Sequence, residues 1–141
     1  MRKDVIIIKT NVMRILDKAN IKYKIYDYTN TGVISGIDVA HVLNEDVNKV
    51  FKTLVTVSST KNYYVFLVPV AKELDLKKCA HSVNEKSIEM VKSKDLLSLT
   101  GYIHGGCSPI GMKKEFKTVI DESTYLYATI IMSAGKIGYQ V

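Results

Sequence analysis

Apolar residues at positions 12–19 recur every three or four places, which is the spacing of one buried helix face. Thr10 stands directly before this pattern and is suited to cap a helix, so we predict a helix from Asn11 to a stop near Asn20. Residues 21–28 alternate with the period of a β-strand. The next stretch, 29–36, is rich in threonine, serine, asparagine and glycine and is predicted to be a loop.

The middle of the chain combines strand patterns with short helical ones. Residues 37–43 predict a short helix, and residues 50–58 predict a strand because they are rich in β-branched side chains. A turn at 59–62 leads into an apolar run at 63–70 that is typical of a strand buried on both faces. We expect these two strands to pair as a hairpin. Residues 75–83 and 87–99 predict two further short helices.

The last third of the chain begins with a loop at 101–111 that contains four glycines and one proline. Strand-like runs follow at 118–120, 125–132 and 137–141. No internal repeat, low-complexity tract or linker interrupts the sequence. The pattern therefore predicts one α+β domain over residues 1–141, with mostly antiparallel strands.

Composition fits this picture and adds a constraint on partners. A chain of 141 residues that is 47% hydrophobic and 24% charged is an ordinary globular protein and not a disordered one. Its net charge of +6 favours anionic partners, of which nucleic acid is the commonest. The lysines form no dense run, however, so mild basicity without a specific partner explains the charge equally well.

Cysteine and histidine usage limits the compartment and the kind of site. Cys79 and Cys107 match no zinc or CxxC spacing, which favours a reducing, intracellular compartment. The apolar run at residues 5–8 is far too short for a signal peptide or a membrane span. We therefore expect a cytoplasmic protein without a membrane partner. The three histidines are scattered at spacings that fit no metal motif, so no metal site is expected.

The glycine-rich loop at 101–111 is the strongest local candidate for chemistry. Glycines allow a ligand to approach the backbone closely, and exposed amides can bind an anion or a developing oxyanion. The same composition also suits a tight structural turn, and the loop matches neither the P-loop nor the dinucleotide fingerprint. Cys107 follows His104 by three residues, which suggests a cysteine nucleophile, but an ordinary small loop side chain fits better.

Lysines provide two further candidates. Lys52 lies inside an apolar stretch, where it either reaches solvent from a sheet face or points into a pocket that holds an oxygen-rich group. Strand alternation by itself favours the solvated face. Lys113, Lys114 and Lys117 follow the glycine loop and suit either a sugar–phosphate backbone or a solvated helix end.

Five segments taken together carry a resemblance. They are KTNVMR at 9–14, VFKTLV at 50–55, PV at 69–70 with ELDLKK at 73–78, TGY at 100–102 with GGCSPIG at 105–111, and SAGK at 133–136. In this order and with almost no gaps, they resemble the YbaK/EbsC family, which is related to the editing insertion domain of bacterial prolyl-tRNA synthetase. Each segment alone is weakly diagnostic, whereas five in register are strongly so.

The resemblance implies an enzyme without a cofactor that hydrolyses mischarged aminoacyl-tRNA, most typically Cys-tRNA(Pro). It implies a mixed, barrel-like sheet surrounded by helices, with prolyl-tRNA synthetase as a partner. The family's strand lysine, here Lys52, holds the aminoacyl-adenosine end, and Gly105, four places ahead of Pro109, offers its backbone to the ester. The other residues of the expected substrate pocket are Tyr28, Thr53, Gly106, Ser108, Pro109, Ser133 and Gln140.

The mechanism implied by the resemblance uses no protein nucleophile, because the thiol of the cysteinyl substrate attacks its own ester. Two positions depart from the family pattern. Gln140 stands where an aspartate is common, and Ser35 falls near a phenylalanine that lines the cysteine pocket. Loss of the carboxylate at Gln140 is expected to change contacts to the amino group or the adenosine, and the smaller Ser35 to loosen the selection for cysteine. Ala-tRNA(Pro) is therefore an alternative substrate. A non-catalytic module that binds nucleotides or tRNA ends is the alternative from a different functional class.

Overall fold

The computed structural model describes residues 8–141, so most of the apolar run at 5–8 lies outside the described residues. The helices are α1 (Asn11–Lys18), α2 (Gly36–Val42), α3 (Leu76–Ser82) and α4 (Ser93–Thr100). The strands are β1 (Tyr26–Asp27), β2 (Phe51–Ser58), β3 (Tyr63–Pro69), β4 (Ile88–Met90), β5 (Lys117–Ile120) and β6 (Tyr139–Gln140). Two 3₁₀ helices span Thr29–Thr31 and Glu122–Leu126. None of the helices described is both long and apolar enough to cross a membrane.

The strands form two sheets. In the larger one the order is β4-β2-β3-β5, with β2 antiparallel to both of its neighbours and β3 parallel to β5. The smaller sheet is the antiparallel pair of β1 and β6. These pairings confirm the α+β class and the mixed, mostly antiparallel strands. Within residues 8–141 the two sheets stay open and no closed barrel is found, so the barrel-like arrangement is not confirmed.

The first helix and the central hairpin are confirmed where local signals are strong. Thr10 caps α1 through its side chain, which accepts a hydrogen bond from the backbone N–H of Met13 at 3.2 Å. The backbone N–H of Thr10 donates in return to the Met13 sulfur at 3.5 Å. In the hairpin, β2 and β3 pair in a register that places Lys52 opposite Val68. Lys52 thus lies on the central pair of strands of the larger sheet.

Several predicted elements are wrong in extent or type. Of the predicted strand at 21–28, only Tyr26–Asp27 pairs with a neighbour. The predicted helix at 87–99 splits into β4 and α4, because residues 88–90 pair with the edge of β2 and bury Ile88. In the predicted strand at 125–132, Tyr125 is 93% exposed and lies in a 3₁₀ helix that ends at Leu126. Of this stretch only Ile131 forms an isolated bridge, to Val50.

The apolar core is divided into four clusters, and two of them meet at a cavity. One of these two contains Val50 and Val70, and the other contains Leu96 and Cys107. All four residues also line the same cavity. The packing of the core therefore leaves a space between β2, α4 and the glycine-rich loop.

Candidate functional site

A cavity of about 400 Å³ brings together residues that are far apart in the sequence. Its wall is built from residues 34–36, residues 50–54, the glycine-rich loop at Gly105 and Cys107, and the C-terminal residues Ser133 and Gln140. Ser133 and Gln140 lie opposite each other because they form an antiparallel bridge. The volume suits a small ligand or the end of a larger one, since ligand pockets commonly measure about 300–1,000 Å³.

Lys52 lines this cavity. Of the two alternatives for this lysine, a side chain that points into a pocket is therefore supported over one on a fully solvated strand face. The side chain is half-buried at the second position of β2. Among the lining residues described, it is the single lysine, arginine or carboxylate. No carboxylate of residues 8–141 lies within 4.0 Å of its ammonium group. The ammonium group is therefore available to an anionic or oxygen-rich group of a ligand.

Gly105 presents a backbone that no other residue type could present in the same way. Its φ of +89° lies in the left-handed region, and a Cβ here would stand 2.7 Å from Ile34 Cγ2. The N–H of Gly106 donates to the Ile103 carbonyl at 3.0 Å, whereas the N–H of Gly105 has no acceptor within residues 8–141. Because Gly105 lines the cavity, its unused N–H is a candidate donor for a ligand oxygen.

The glycine-rich loop is held in place by hydrogen bonds behind the cavity. Thr100 Oγ1 donates to the Leu96 carbonyl at 2.8 Å and accepts from the N–H of Tyr102 at 3.0 Å. The Tyr102 hydroxyl donates to the Ile110 carbonyl at 2.5 Å. These contacts tie both ends of the loop to α4, so Gly105 is positioned by the fold before a ligand arrives.

Unpaired polar atoms mark the same cavity. Within residues 8–141, three buried side-chain oxygens lack a hydrogen-bond partner, on Thr53, Ser123 and Gln140. Thr53 and Gln140 both line the cavity, and Ser123 does not. Gln140 Nε2 donates to the Tyr28 hydroxyl at 3.4 Å, which leaves its carbonyl oxygen without a donor. A buried unpaired polar group costs about 1–3 kcal/mol, so two such groups in residues of one cavity wall are unusual.

The predicted site residues divide into two groups in space. Five of them line the cavity, namely Lys52, Thr53, Gly105, Ser133 and Gln140. The other four, Tyr28, Gly106, Ser108 and Pro109, are not among the lining residues. Tyr28 is only 2% exposed and reaches the cavity through Gln140. Ser108 is fully buried, and its hydroxyl accepts from the N–H of Ile110 at 3.3 Å, so it braces the loop.

Sequence reasoning missed the apolar part of the wall. Ile34, Leu54, Val70 and Leu96 line the cavity together with the polar residues. In the sequence, Leu54, Val70 and Leu96 belong to apolar patterns that equally well predict core packing, and Ile34 lies in a predicted loop. Only the tertiary arrangement distinguishes a side chain that faces a cavity from one that faces another side chain.

Cys107 lines the cavity but lacks the surroundings of a nucleophile. The residue is 8% exposed, and this burial raises the pKa of its thiol to about 11. At neutral pH only about one thiol in 10⁴ is then ionised, whereas the thiolate is the reactive form. His104 also lines the cavity, but it is exposed, and no hydrogen bond joins it to Cys107 in the part of the chain described. The structure therefore does not support a Cys107–His104 catalytic pair.

Comparison with known proteins identifies relatives over nearly the whole chain. The sequence profile of the aminoacyl-tRNA editing domain matches residues 34–141. The chain is 45% identical over 134 residues to a protein of Enterococcus faecalis that is named as a candidate Cys-tRNA(Pro)/Cys-tRNA(Cys) deacylase, EbsC. The matched residues cover 94% of this chain and 82% of that protein.

Two solved structures share the fold. One, named as a candidate trans-editing enzyme for prolyl-tRNA synthetase, matches with a TM-score of 0.80 at 21% identity and covers 94% of this chain and 85% of its own. Another, named as a hypothetical protein, matches with a TM-score of 0.83 at 16% identity and covers 92% of this chain and 85% of its own. At these identities the two structures indicate a common fold only.

Proposed function

Because the chain belongs to the aminoacyl-tRNA editing domain family, we propose that it is a trans-editing deacylase that hydrolyses the ester of mischarged Cys-tRNA(Pro). One observation carries the proposal. The cavity is lined by Lys52 and by Gly105, whose N–H has no acceptor within residues 8–141, and also by Thr53 and Gln140, each of which carries an unpaired oxygen. A cation, an oxyanion donor and two neutral polar groups are what a short aminoacyl ester needs.

The proposed roles follow from the chemistry of each group. The ammonium group of Lys52 attracts the oxygen-rich end of the substrate, where the ester joins the ribose of the terminal adenosine. The N–H of Gly105 donates to the ester oxygen as negative charge develops on it. The oxygens of Thr53 and Gln140 accept hydrogen bonds from the substrate amino group. No carboxylate lines the described wall, so neutral acceptors bind this group.

The proposed reaction uses the thiol of the bound cysteine. Its sulfur attacks the ester carbon, so that a carbon–sulfur bond forms, the bond to the ribose oxygen breaks, and the thiol proton passes to that oxygen. Water then opens the resulting cyclic thioester and releases cysteine. The enzyme's contribution is to hold the thiol against the ester, since well-oriented intramolecular reactions reach effective molarities of about 10⁵–10⁸ M. Cys107 stays neutral and forms part of the wall.

Two alternatives rest on specific features of the chain. Ser35 lines the cavity where a bulky aromatic side chain would narrow it, which leaves Ala-tRNA(Pro) as a second substrate. The net charge of +6 also suits a non-catalytic module that binds tRNA ends. Prolyl-tRNA synthetase is the proposed partner that would supply recognition of the tRNA body.

A deacylation panel separates these alternatives. Purified protein is incubated with Cys-tRNA(Pro), Ala-tRNA(Pro) and Pro-tRNA(Pro), each with and without prolyl-tRNA synthetase, and the remaining aminoacyl ester is measured over time. We expect loss of cysteine to be fastest and the correctly charged Pro-tRNA(Pro) to survive. Faster loss of alanine would identify the alternative substrate. Binding of all three tRNAs without turnover would establish the non-catalytic module and refute the proposal.

A further inference from the structure

A second cavity is distinct from the cavity lined by Lys52 and Gly105, which is called the ester cavity from here on. The second cavity measures about 450 Å³ and is lined by Lys22, Lys24, Lys49, Glu45, Tyr23 and Tyr26, together with aliphatic residues and a threonine. Three ammonium groups and one carboxylate give the side chains of its wall a net charge of +2 at neutral pH. Among the described residues that line the ester cavity, Lys52 is the single lysine, arginine or carboxylate. The second cavity is therefore the more basic of the two.

The aromatic rings of this cavity are held by two kinds of contact. Tyr26 packs against the core cluster that contains Val50, and Tyr23 is held by its hydroxyl group. The Tyr23 hydroxyl donates to Asp17 Oδ1 at 2.8 Å and to the Met13 carbonyl at 3.3 Å, which anchors the ring to α1. Asp17 also accepts a hydrogen bond from Lys9 at 2.6 Å, so its charge is already balanced. At Tyr26, burial and the negative charge of Glu45 raise the pKa of the phenol, which stays neutral.

The two cavities are separated by a single layer of backbone. Val50 lines the ester cavity, and the preceding residue, Lys49, lines the second one. The same relation holds for Gln140 and Val141. Consecutive residues of the chain therefore face the two cavities, which places the cavities side by side.

We propose that the second cavity binds a phosphate-bearing nucleotide of the tRNA, upstream of the terminal aminoacyl-adenosine. The identity of the RNA rests on the proposed function, whereas the affinity for nucleotide phosphate rests on the cavity itself. Lysine ammonium groups bind phosphate as point charges, and tyrosine rings provide surfaces on which a base can stack. An acidic protein segment would use the lysines but would have no need for the fixed rings.

The test removes the positive charge from this cavity and from a matched surface. One variant combines Lys22→Ala, Lys24→Ala and Lys49→Ala. The control combines Lys77→Ala, Lys78→Ala and Lys86→Ala, three exposed lysines that line neither cavity and carry the same total charge. Binding of uncharged tRNA(Pro) is measured between about 50 mM and about 200 mM salt. Hydrolysis is measured with Cys-tRNA(Pro) and with a cysteine ester of adenosine.

The cavity variant should bind tRNA(Pro) about tenfold more weakly at low salt. The slope of log K against log salt should fall by about 2, since each lost contact to a single strand removes about 0.7. Hydrolysis of the adenosine ester should be unchanged. Equal binding by wild type and variant, or an equal loss in the control, would overturn the proposal. Failure of the wild type to hydrolyse either ester would refute the proposed function, while the tRNA-binding comparison would still decide the role of the cavity.

A second pair of variants tests the aromatic part of the same cavity. Tyr26→Phe keeps the ring, and Tyr26→Leu removes it. Loss of base stacking costs about 1–3 kcal/mol, so the leucine variant should bind tRNA(Pro) at least about fivefold more weakly. The phenylalanine variant should bind like the wild type. Equal binding by the two variants would show that no base stacks on this ring.

Discussion

Gly105→Ala adds a single methyl group to the backbone that is proposed to face the ester, and the chain offers a matched control. Gly105 and Gly32 both have positive φ, at +89° and +72°. An alanine Cβ at Gly105 would stand 2.7 Å from Ile34 Cγ2, in the cavity wall, whereas at Gly32 it would meet no atom within 4 Å. The two variants therefore share the backbone strain and differ in the contact at the site.

The expected magnitudes follow from these geometries. A left-handed conformation costs an alanine about 1–2 kcal/mol, so each variant should lose stability by this amount and melt about 3–10 °C lower. In Gly105→Ala, relief of the contact with Ile34 moves the N–H away from the ester oxygen. Loss of one oxyanion donor lowers kcat by about 10²–10³, so a partial displacement should lower it by about 10–100-fold. Gly32→Ala should keep the wild-type kcat.

Two assays check the prediction on the same protein preparations. Thermal unfolding measures the stability of both variants, and single-turnover hydrolysis of Cys-tRNA(Pro) at saturating enzyme measures the chemical step. If Gly105→Ala keeps the wild-type rate, the N–H of Gly105 has no role in the chemistry. If Gly32→Ala is equally slow, the loss reflects stability and not the site.

Three further predictions concern side chains of the cavity wall. Cys107→Ala should retain hydrolysis of Cys-tRNA(Pro). If an alkylating reagent inactivates the wild type but not this variant, Cys107 is accessible to the reagent. The folded-state pKa of the Cys107 thiol is raised above its unfolded value of 9.0, so the unfolded chain loses this proton at lower pH than the folded one. The free energy of unfolding of the wild type should therefore fall as pH rises from 9 to about 11. The fall should reach up to about 3 kcal/mol, at about 1.4 kcal/mol per pH unit. Denaturant unfolding at pH 8 and pH 10.5 should show a smaller fall in Cys107→Ala, and identical falls would contradict the shift. Gln140→Leu and Thr53→Val should each lower kcat/KM about tenfold, whereas Ser123→Ala, which removes an unpaired oxygen outside the cavity, should leave it unchanged.

The elements that the sequence predicts well are those with local causes. Helix α1 has its cap at Thr10 and its apolar face within two turns, and β2 and β3 are joined by a short turn. Strand β4 was mistaken for helix because its pairing partner, β2, lies about 30 residues away. The predicted strand at 125–132 failed because Tyr125 and Leu126 are exposed, which no local pattern reveals.

The candidate site shows the same division. The glycine-rich loop was visible from composition, because several glycines in one loop indicate an unusual backbone. Alternation within β2 favoured a solvated Lys52, and only the family resemblance joined it to Gly105. The unpaired state of Thr53 and Gln140 depends on every neighbouring side chain, so it could not be predicted from the sequence. The second cavity likewise depends on how residues 22–26 meet Lys49.

Lys52 provides the most direct test of the account. The measurement is single-turnover hydrolysis of Cys-tRNA(Pro) by the wild type, by Lys52→Ala and by Lys78→Ala, which removes an exposed lysine outside the cavity. A hydrogen bond to a charged group contributes about 1.5–3 kcal/mol, so Lys52→Ala should be about 10–150-fold slower, with Lys78→Ala as fast as the wild type. An intact Cys-tRNA(Pro) in the presence of wild type, or equal rates for the two variants, would contradict the account.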